Sequence, residues 1–251
     1  MIELEVDAKL FSDVMAAVST VKKEPTMVFD TAGMAIVTMD EAKITQLQLI
    51  LKKSNFETYD VDQRYKVSFD ISSLSSFFRS PQGNLMVTIK GNLCSFMLPS
   101  RYGFKSFEIP LLGELEPTLT PKLSYESECK IDLGSLEEIV GDAKRIGSEL
   151  IRCFVSGNDI EVLLKGDKGE ARMMIERGKG LIYSKFEENS KCVFGVDTFE
   201  NLLKVPSYFT SITDMEFAKR LLPIKFTHQV PFDGSLIQYI APIDDKEVYK
   251  E

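Results

Sequence analysis

Hydrophobic residues along this chain recur mostly at every second position. Leu47, Leu49 and Leu51 alternate with polar or mixed residues, as do Leu85, Val87 and Ile89, then Ile160, Val162 and Leu164. Ile224, Phe226 and Val230 continue the pattern, with His228 on the same parity. Successive side chains of an extended strand point to opposite faces, so this alternation predicts half-buried β-strands, about nine in each half of the chain. Four stretches follow the helical period instead, at about 8–21, 72–80, 134–146 and 197–205. In the third, Leu136, Ile139, Val140, Ala143 and Ile146 make one apolar stripe, opposite Glu138, Asp142 and Arg145. Asp7, Ser72, Asp132 and Asp197 stand near the four starts, where a short polar side chain can hold a free helix amide. Helices with one buried face on antiparallel sheets make an α+β domain.

The pattern is written twice. Lys66 to Arg79 reappears, blurred, as Lys191 to Lys204, an offset of 125 residues. The same offset carries Phe11, Val14, Met15, Val18 and Val21 onto Leu136, Ile139, Val140, Ala143 and Ile146. It carries Gly33 onto Asn158, both tolerant of the backbone of a tight turn. A constant offset across separate stretches predicts two tandem copies of one domain.

Composition narrows the class. With 44% hydrophobic and 27% charged residues, the chain reads as an ordinary globular protein. No run approaches the roughly 18 apolar residues that a membrane-spanning helix needs. The start, Met1 to Asp7, alternates acidic and apolar residues and predicts a strand, not a signal peptide, so an intracellular protein is expected. The net charge of −8 speaks against general nucleic-acid affinity, although a local basic surface is compatible with it. Cys94, Cys129, Cys153 and Cys192 lack metal-ligand spacing and read as buried thiols, so neither metal nor cofactor is expected.

Catalytic signatures are weak. The single histidine, His228, sits on a strand parity. Asp40 and Glu41 are adjacent, and on extended backbone their carboxylates point apart. Lys165 to Gly169 lacks a phosphate-loop pattern and reads as a hairpin. No catalytic residue is assigned, and a β-rich hydrolase using acidic residues is the disfavoured alternative.

Between the halves, Pro110, Pro117 and Pro121 punctuate a connector that also carries Leu111, Leu112, Leu115 and Leu119. Together with Gly33–Leu51, containing Thr38-Met39-Asp40, with Ser106-Phe107-Glu108-Ile109-Pro110-Leu111, and with Ile240-Ala241-Pro242 before an acidic tail, this order resembles the archaeal and eukaryotic sliding clamps of the proliferating cell nuclear antigen (PCNA) type. The resemblance implies an α+β clamp fold of two duplicated domains, 1–110 and 126–251, joined by a connector at 111–125. It implies assembly of three chains, like or unlike, into a pseudo-sixfold ring around duplex DNA, and no enzymatic activity.

Sites follow from the same resemblance. The lining helices would present Lys9, Arg79, Lys144, Arg145 and Lys204 to phosphates. This chain departs from the family by placing Ser12, Asp13, Gly141 and Asp197 where basic residues are usual, so its direct grip on DNA is expected to be weak. A hydrophobic cup for a partner's clamp-binding peptide is implied at Met39, Ile44, Leu119, Pro223, Tyr239, Ala241 and Pro242, with Ile243–Asp245 pairing edge-on. The joint between chains is implied along Gly103–Ile109 and Glu170–Arg177, through Phe104, Phe107, Ile109, Met173 and Ile175. Implied partners are DNA polymerase, flap endonuclease, DNA ligase and a clamp loader, with no membrane. The implied compartment is the archaeal cytoplasm at the nucleoid, or the eukaryotic nucleus. A checkpoint-like clamp and a scaffold independent of DNA are the alternative readings.

Overall fold

The computed structural model describes residues 1–79, 81–113, 123–219, 221–246 and 248. In chain order the first half holds β1 (Ile2–Asp7), α1 (Ala8–Ser19), β2 (Thr26–Asp30), β3 (Gly33–Met39), β4 (Thr45–Lys52), β5 (Phe56–Asp60), β6 (Tyr65–Ser68), α2 (Leu74–Phe77), β7 (Asn84–Lys90), β8 (Leu93–Ser100) and β9 (Gly103–Pro110). The second holds β10 (Ser127–Asp132), α3 (Leu133–Ile146), β11 (Ser148–Ser156), β12 (Asp159–Gly166), β13 (Gly169–Ile175), β14 (Leu181–Lys185), β15 (Lys191–Gly195), α4 (Val196–Lys204), β16 (Ile212–Phe217), β17 (Ile224–His228) and β18 (Gly234–Ile240). The described residues fall into two compact units. Unit 1 comprises Met1–Glu41, Leu47–Thr120 and Val230–Leu236; unit 2 comprises Ala42–Gln46, Pro121–Gln229 and Ile237–Glu251.

The duplication read from the sequence is visible strand by strand. Among the strands of the first repeat, one row runs β5-β1-β7-β8-β9 and another β4-β3-β2-β6. Among those of the second the rows are β14-β10-β16-β17-β18 and β13-β12-β11-β15, the same order with each label raised by one repeat. The pairings are antiparallel, as in β1 against β7 and β10 against β16.

Each unit is closed by two helices with one apolar stripe. Helix α1 buries Phe11, Val14, Met15 and Val18, and α3 buries Leu136, Ile139, Val140 and Ala143. Phe11 meets Phe78 and Phe96 in unit 1, at ring distances of 5.9 and 6.1 Å. In unit 2 Phe194 stacks on Phe199 at 4.4 Å, and both approach Phe226. Such ring clusters bury much apolar area with fixed geometry.

The helix ends differ from the periodic reading where local hydrogen bonds compete. Helix α1 stops at Ser19 rather than 21, because the Ser19 and Thr20 hydroxyls donate to the Ala16 and Ala17 carbonyls. Helix α2 shrinks to Leu74–Phe77, because the Asp70 carboxylate takes the Ser72 amide and hydroxyl into a turn of its own. Asp7 caps α1 as expected, accepting from the Leu10 amide at 2.7 Å. Asp132 occupies the cap of α3 without a side-chain bond, whereas Gly195 takes the cap of α4 and leaves Asp197 inside its first turn. There its charge still favours the positive end of the helix.

His228, the one histidine, is buried on β17 beside Phe226 and bonds Gln238 at 2.8 Å; its Nδ1 has no partner among the described residues. Burial pushes its pKa down to about 4. An unfolded imidazole takes up a proton near pH 6.5, so between that pH and 4 the unfolded chain holds the extra proton and folding loses stability as pH falls. From pH 7 to pH 5 this group alone should cost about 2 kcal/mol. Urea unfolding at the two pH values should show that loss, and His228→Gln, which keeps a hydrogen-bonding side chain at the site and does not titrate, should remove most of it.

Candidate functional site

Three surfaces carry the residues singled out by the sequence. The first is the set of helices. Lys9 projects from α1 and is held by Asp13 one turn on, at 2.5 Å, which keeps its ammonium above the usual lysine range. In unit 2, Lys144 of α3 reaches Glu200 of α4 at 2.7 Å, and that hydrogen bond lowers the Glu200 carboxyl below its usual range. Arg145 pairs with Asp142 on its own helix, and Lys204 donates to the Asn201 amide oxygen at 2.8 Å. Arg79, just past α2, is exposed and makes no ion pair among the described residues. Exposed pairs of this kind add little to stability, but they share each cation's charge with a carboxylate. A groove of about 340 Å³ between α3 and α4 is lined by Glu137, Val140, Lys144, Glu200 and Leu203. The helical reading missed Lys23, which lines the corresponding cleft of unit 1 with Ser12 and Met15. It lies beyond the early end of α1, so the apolar stripe gave no signal for it.

The second surface belongs to unit 2. The Ala241 amide donates to the Ile44 carbonyl at 2.7 Å, bringing the loop before β4 against the end of β18. Tyr239 is buried on β18, its phenol pushed above the usual range by burial. Pro223 leads into β17, and its carbonyl accepts from Tyr125 at 2.8 Å. Tyr125 was not singled out by sequence. Burial, with Tyr239 and Glu216 nearby, holds its phenol protonated far above neutral pH. Ile44 stays 39% exposed, and Ala241 and Pro242 are half-buried. Met39 ends β3 in unit 1, and Leu119 lies outside the described residues. The segment expected to pair with a partner carries side-chain contacts within unit 2. Asp245 is buried against Arg152 at 2.6 Å, and Lys191 donates to the Val248 carbonyl at 2.7 Å.

The third surface is a pair of strand edges. Strand β9 ends the row in unit 1, and β13 ends its row in unit 2. Both read from exposed to buried in the same alternation. Ile109 and Ile175 are buried in their own units, and Met173 packs against its unit's core. Phe107 is half-buried and stacks on Phe77 at 5.6 Å, while Lys105 sits over the Phe77 ring. The side chains that point outward are Phe104, 73% exposed, and Met174, 47% exposed. Met174 is a residue the sequence reading passed over in favour of its neighbour Met173. Alternation alone does not say which face of an edge strand its own core covers.

The duplicates of these two edges look different. Strand β4, the counterpart of β13, is buried along most of its length. In unit 1 the start of β18, the counterpart of β9, lies against it: the Lys52 amide donates to the Asp233 carbonyl at 2.9 Å. Gly234 is needed there, since a Cβ would lie 1.9 Å from the Ile50 carbonyl.

Residues 1–95 match the family described as "Proliferating cell nuclear antigen, N-terminal domain". The chain is 23% identical over 249 residues to a protein named DNA polymerase sliding clamp from Thermofilum pendens, covering 94% of this chain and 96% of that one. It is 22% identical over 241 residues to DNA polymerase sliding clamp 2 of Sulfolobus acidocaldarius, covering 94% and 97%. Among solved structures, PCNA from Thermococcus kodakaraensis superposes with a TM-score of 0.85 at 19% identity, covering 97% of this chain and all of the other. A chain of the PCNA2–PCNA3 complex from Sulfolobus tokodaii gives 0.82 at 20% identity, with 97% and 100% covered. Residues 1–95 thus resemble the N-terminal domain of proliferating cell nuclear antigen, and the chain shares the fold of these PCNA structures over nearly its whole length.

Proposed function

We propose that this chain is a subunit of a DNA sliding clamp, a processivity factor that encircles duplex DNA and tethers replication and repair enzymes. One observation carries the reading of a ring. Of the end strands, β5 and β14 are ends in both copies, as are β6 and β15. Among the described residues, β9 and β13 are the ends whose duplicates, β18 and β4, are in contact with each other through backbone hydrogen bonds within a unit. Open hydrophobic edges are an aggregation hazard unless a partner covers them. Joining β9 of one chain to β13 of the next repeats the internal contact, and a closed head-to-tail assembly leaves neither edge bare. The proposed organisation is a clamp domain at 1–110, a connector at 111–125 and a second clamp domain at 126–251, six domains closing round the duplex in a trimer.

In this reading Lys9, Arg79, Lys144, Arg145 and Lys204 lie along the DNA path, and the protein performs no chemistry of its own. Its clients are DNA polymerase, flap endonuclease and DNA ligase, placed on DNA with the help of a loader. They dock by an apolar peptide at Ile44, Pro223, Tyr239, Ala241 and Pro242, with Met39 and Leu119. The paired lining cations also favour a second reading, a protein scaffold that does not need DNA.

Topology separates the two. Loaded protein should stay on a nicked circular plasmid and leave once the circle is cut, whereas binding to a short linear duplex should stay near background. The residual salt dependence should be shallow, with a slope of log affinity against log salt no steeper than about −2, given about −0.9 per phosphate neutralised. Equal retention on cut and uncut circles would overturn the clamp.

The peptide site has its own test. Ile44 is exposed and sits on a loop, so Ile44→Ser should leave assembly intact. It should weaken a clamp-binding peptide, measured by calorimetry, about tenfold through lost apolar contact. Unchanged affinity would move the site elsewhere.

A further inference from the structure

We propose that Cys153 and Cys192 form a reversible oxidation site, at which hydrogen peroxide joins the two thiols in a disulfide across β11 and β15. The site is independent of the clamp reading, and none of the three surfaces above uses either residue. In the antiparallel pairing of β11 with β15, Cys153 stands directly opposite Cys192, flanked by Arg152 opposite Val193 and Phe154 opposite Lys191. Directly opposed side chains share one face of a sheet, and here both thiols turn to the core of unit 2. The Cys192 thiol donates a hydrogen bond to the Cys153 sulfur, and both cysteines are free.

Position singles out this pair from the other cysteines. Cys129 approaches both thiols in the same core, but it lies on β10, in a different row of strands. Cys94 belongs to unit 1. Among the described residues, no three cysteine, histidine or acidic side chains are placed to hold a metal ion, which leaves the two thiols each other as reaction partners. Directly opposed Cβ atoms of an antiparallel pair stand about 4.5–5.5 Å apart, whereas a disulfide holds them at about 3.5–4.5 Å. Closing the bond draws the strands together by about 1 Å, and a bridge strained in this way is readily reduced.

Burial holds the Cys192 thiol protonated well above the usual thiol range, and its bond to Cys153 adds to this. Cys153, slightly less covered, is left as the sulfur that reacts first. Its thiolate attacks one peroxide oxygen, breaks the O–O bond and becomes a sulfenic acid, while the released hydroxide takes up the thiol proton as water. The Cys192 sulfur then attacks the sulfenic sulfur, forming the S–S bond and expelling the sulfenic oxygen as a second water with the Cys192 proton. Two thiols are oxidised and one peroxide is reduced. Access comes through β15, an end strand that pairs with β11 alone among the described strands. Such a strand opens locally without global unfolding. Helix α4 begins at Val196, directly after β15, so joining Cys192 to β11 also steadies the start of that helix.

The full-length chain in native buffer should lose about 2 Da on exposure to hydrogen peroxide, and its peptide map should show Cys153 joined to Cys192. Cys129→Ala should form the same bridge, whereas Cys192→Ala should lose it. The map of the unaltered chain decides the pairing whether or not the variants fold. Dithiothreitol without denaturant should restore both thiols. Amide hydrogen exchange at residues 193–199 should be at least about tenfold slower in the bridged chain. An unchanged mass, a gain of oxygen without loss of hydrogen, a bridge through Cys129, or a bridge formed only after urea unfolding would overturn the site. A bridge that resists dithiothreitol in the native chain would overturn its reversibility, and unchanged exchange would overturn its hold on α4.

Discussion

A sheet edge is a row of backbone amides and carbonyls with nowhere to go, and this molecule is organised by how that demand is met. Where β18 starts, the ladder is satisfied by β4, a strand buried along most of its length. Where β9 and β13 end their rows, the same strands of the same repeat stand half-exposed. Few proteins carry so direct an internal control, because the sequence context of each edge has a twin that differs in being covered. The contrast separates an edge that solvent tolerates from one that awaits a neighbour.

Much of this was legible in the sequence because duplication leaves a constant offset and strands leave alternation. The stripe of α3 was read residue for residue, with Leu136, Ile139, Val140 and Ala143 buried and Ile146 packed at its margin. What escaped had local physical reasons. Serine and threonine hydroxyls that bond back to the chain shortened α1, and the Asp70 turn shortened α2. Met173 and Met174 differ only in parity, and parity gains meaning only once the core side is known. Tyr125 carried no periodic signal, because its role is one hydrogen bond to a proline carbonyl far away in sequence. The pinned tail rests on Arg152 and Asp245, a buried ion pair that no local pattern announces.

Under the clamp proposal, the helices raise the question of how a protein of net charge −8 would approach a polyanion. The paired side chains answer it in part: Lys9, Lys144 and Arg145 each already hold a carboxylate. A pair on a solvated surface is worth little as glue, yet it lowers the field that a phosphate meets. In the proposed clamp, retention by closure would need no more than this, because a ring is held by connectivity and not by affinity.

In the proposed clamp, the Lys144–Glu200 bridge would have a kinetic consequence. A lone lysine dwelling on successive phosphates would give the duplex a corrugated path, with a barrier at each step. A lysine whose ammonium can return to Glu200 whenever a phosphate departs would smooth that corrugation. Motion of such a ring along DNA would be governed by hydrodynamic drag, and its diffusion coefficient would follow solvent viscosity far more closely than ionic strength.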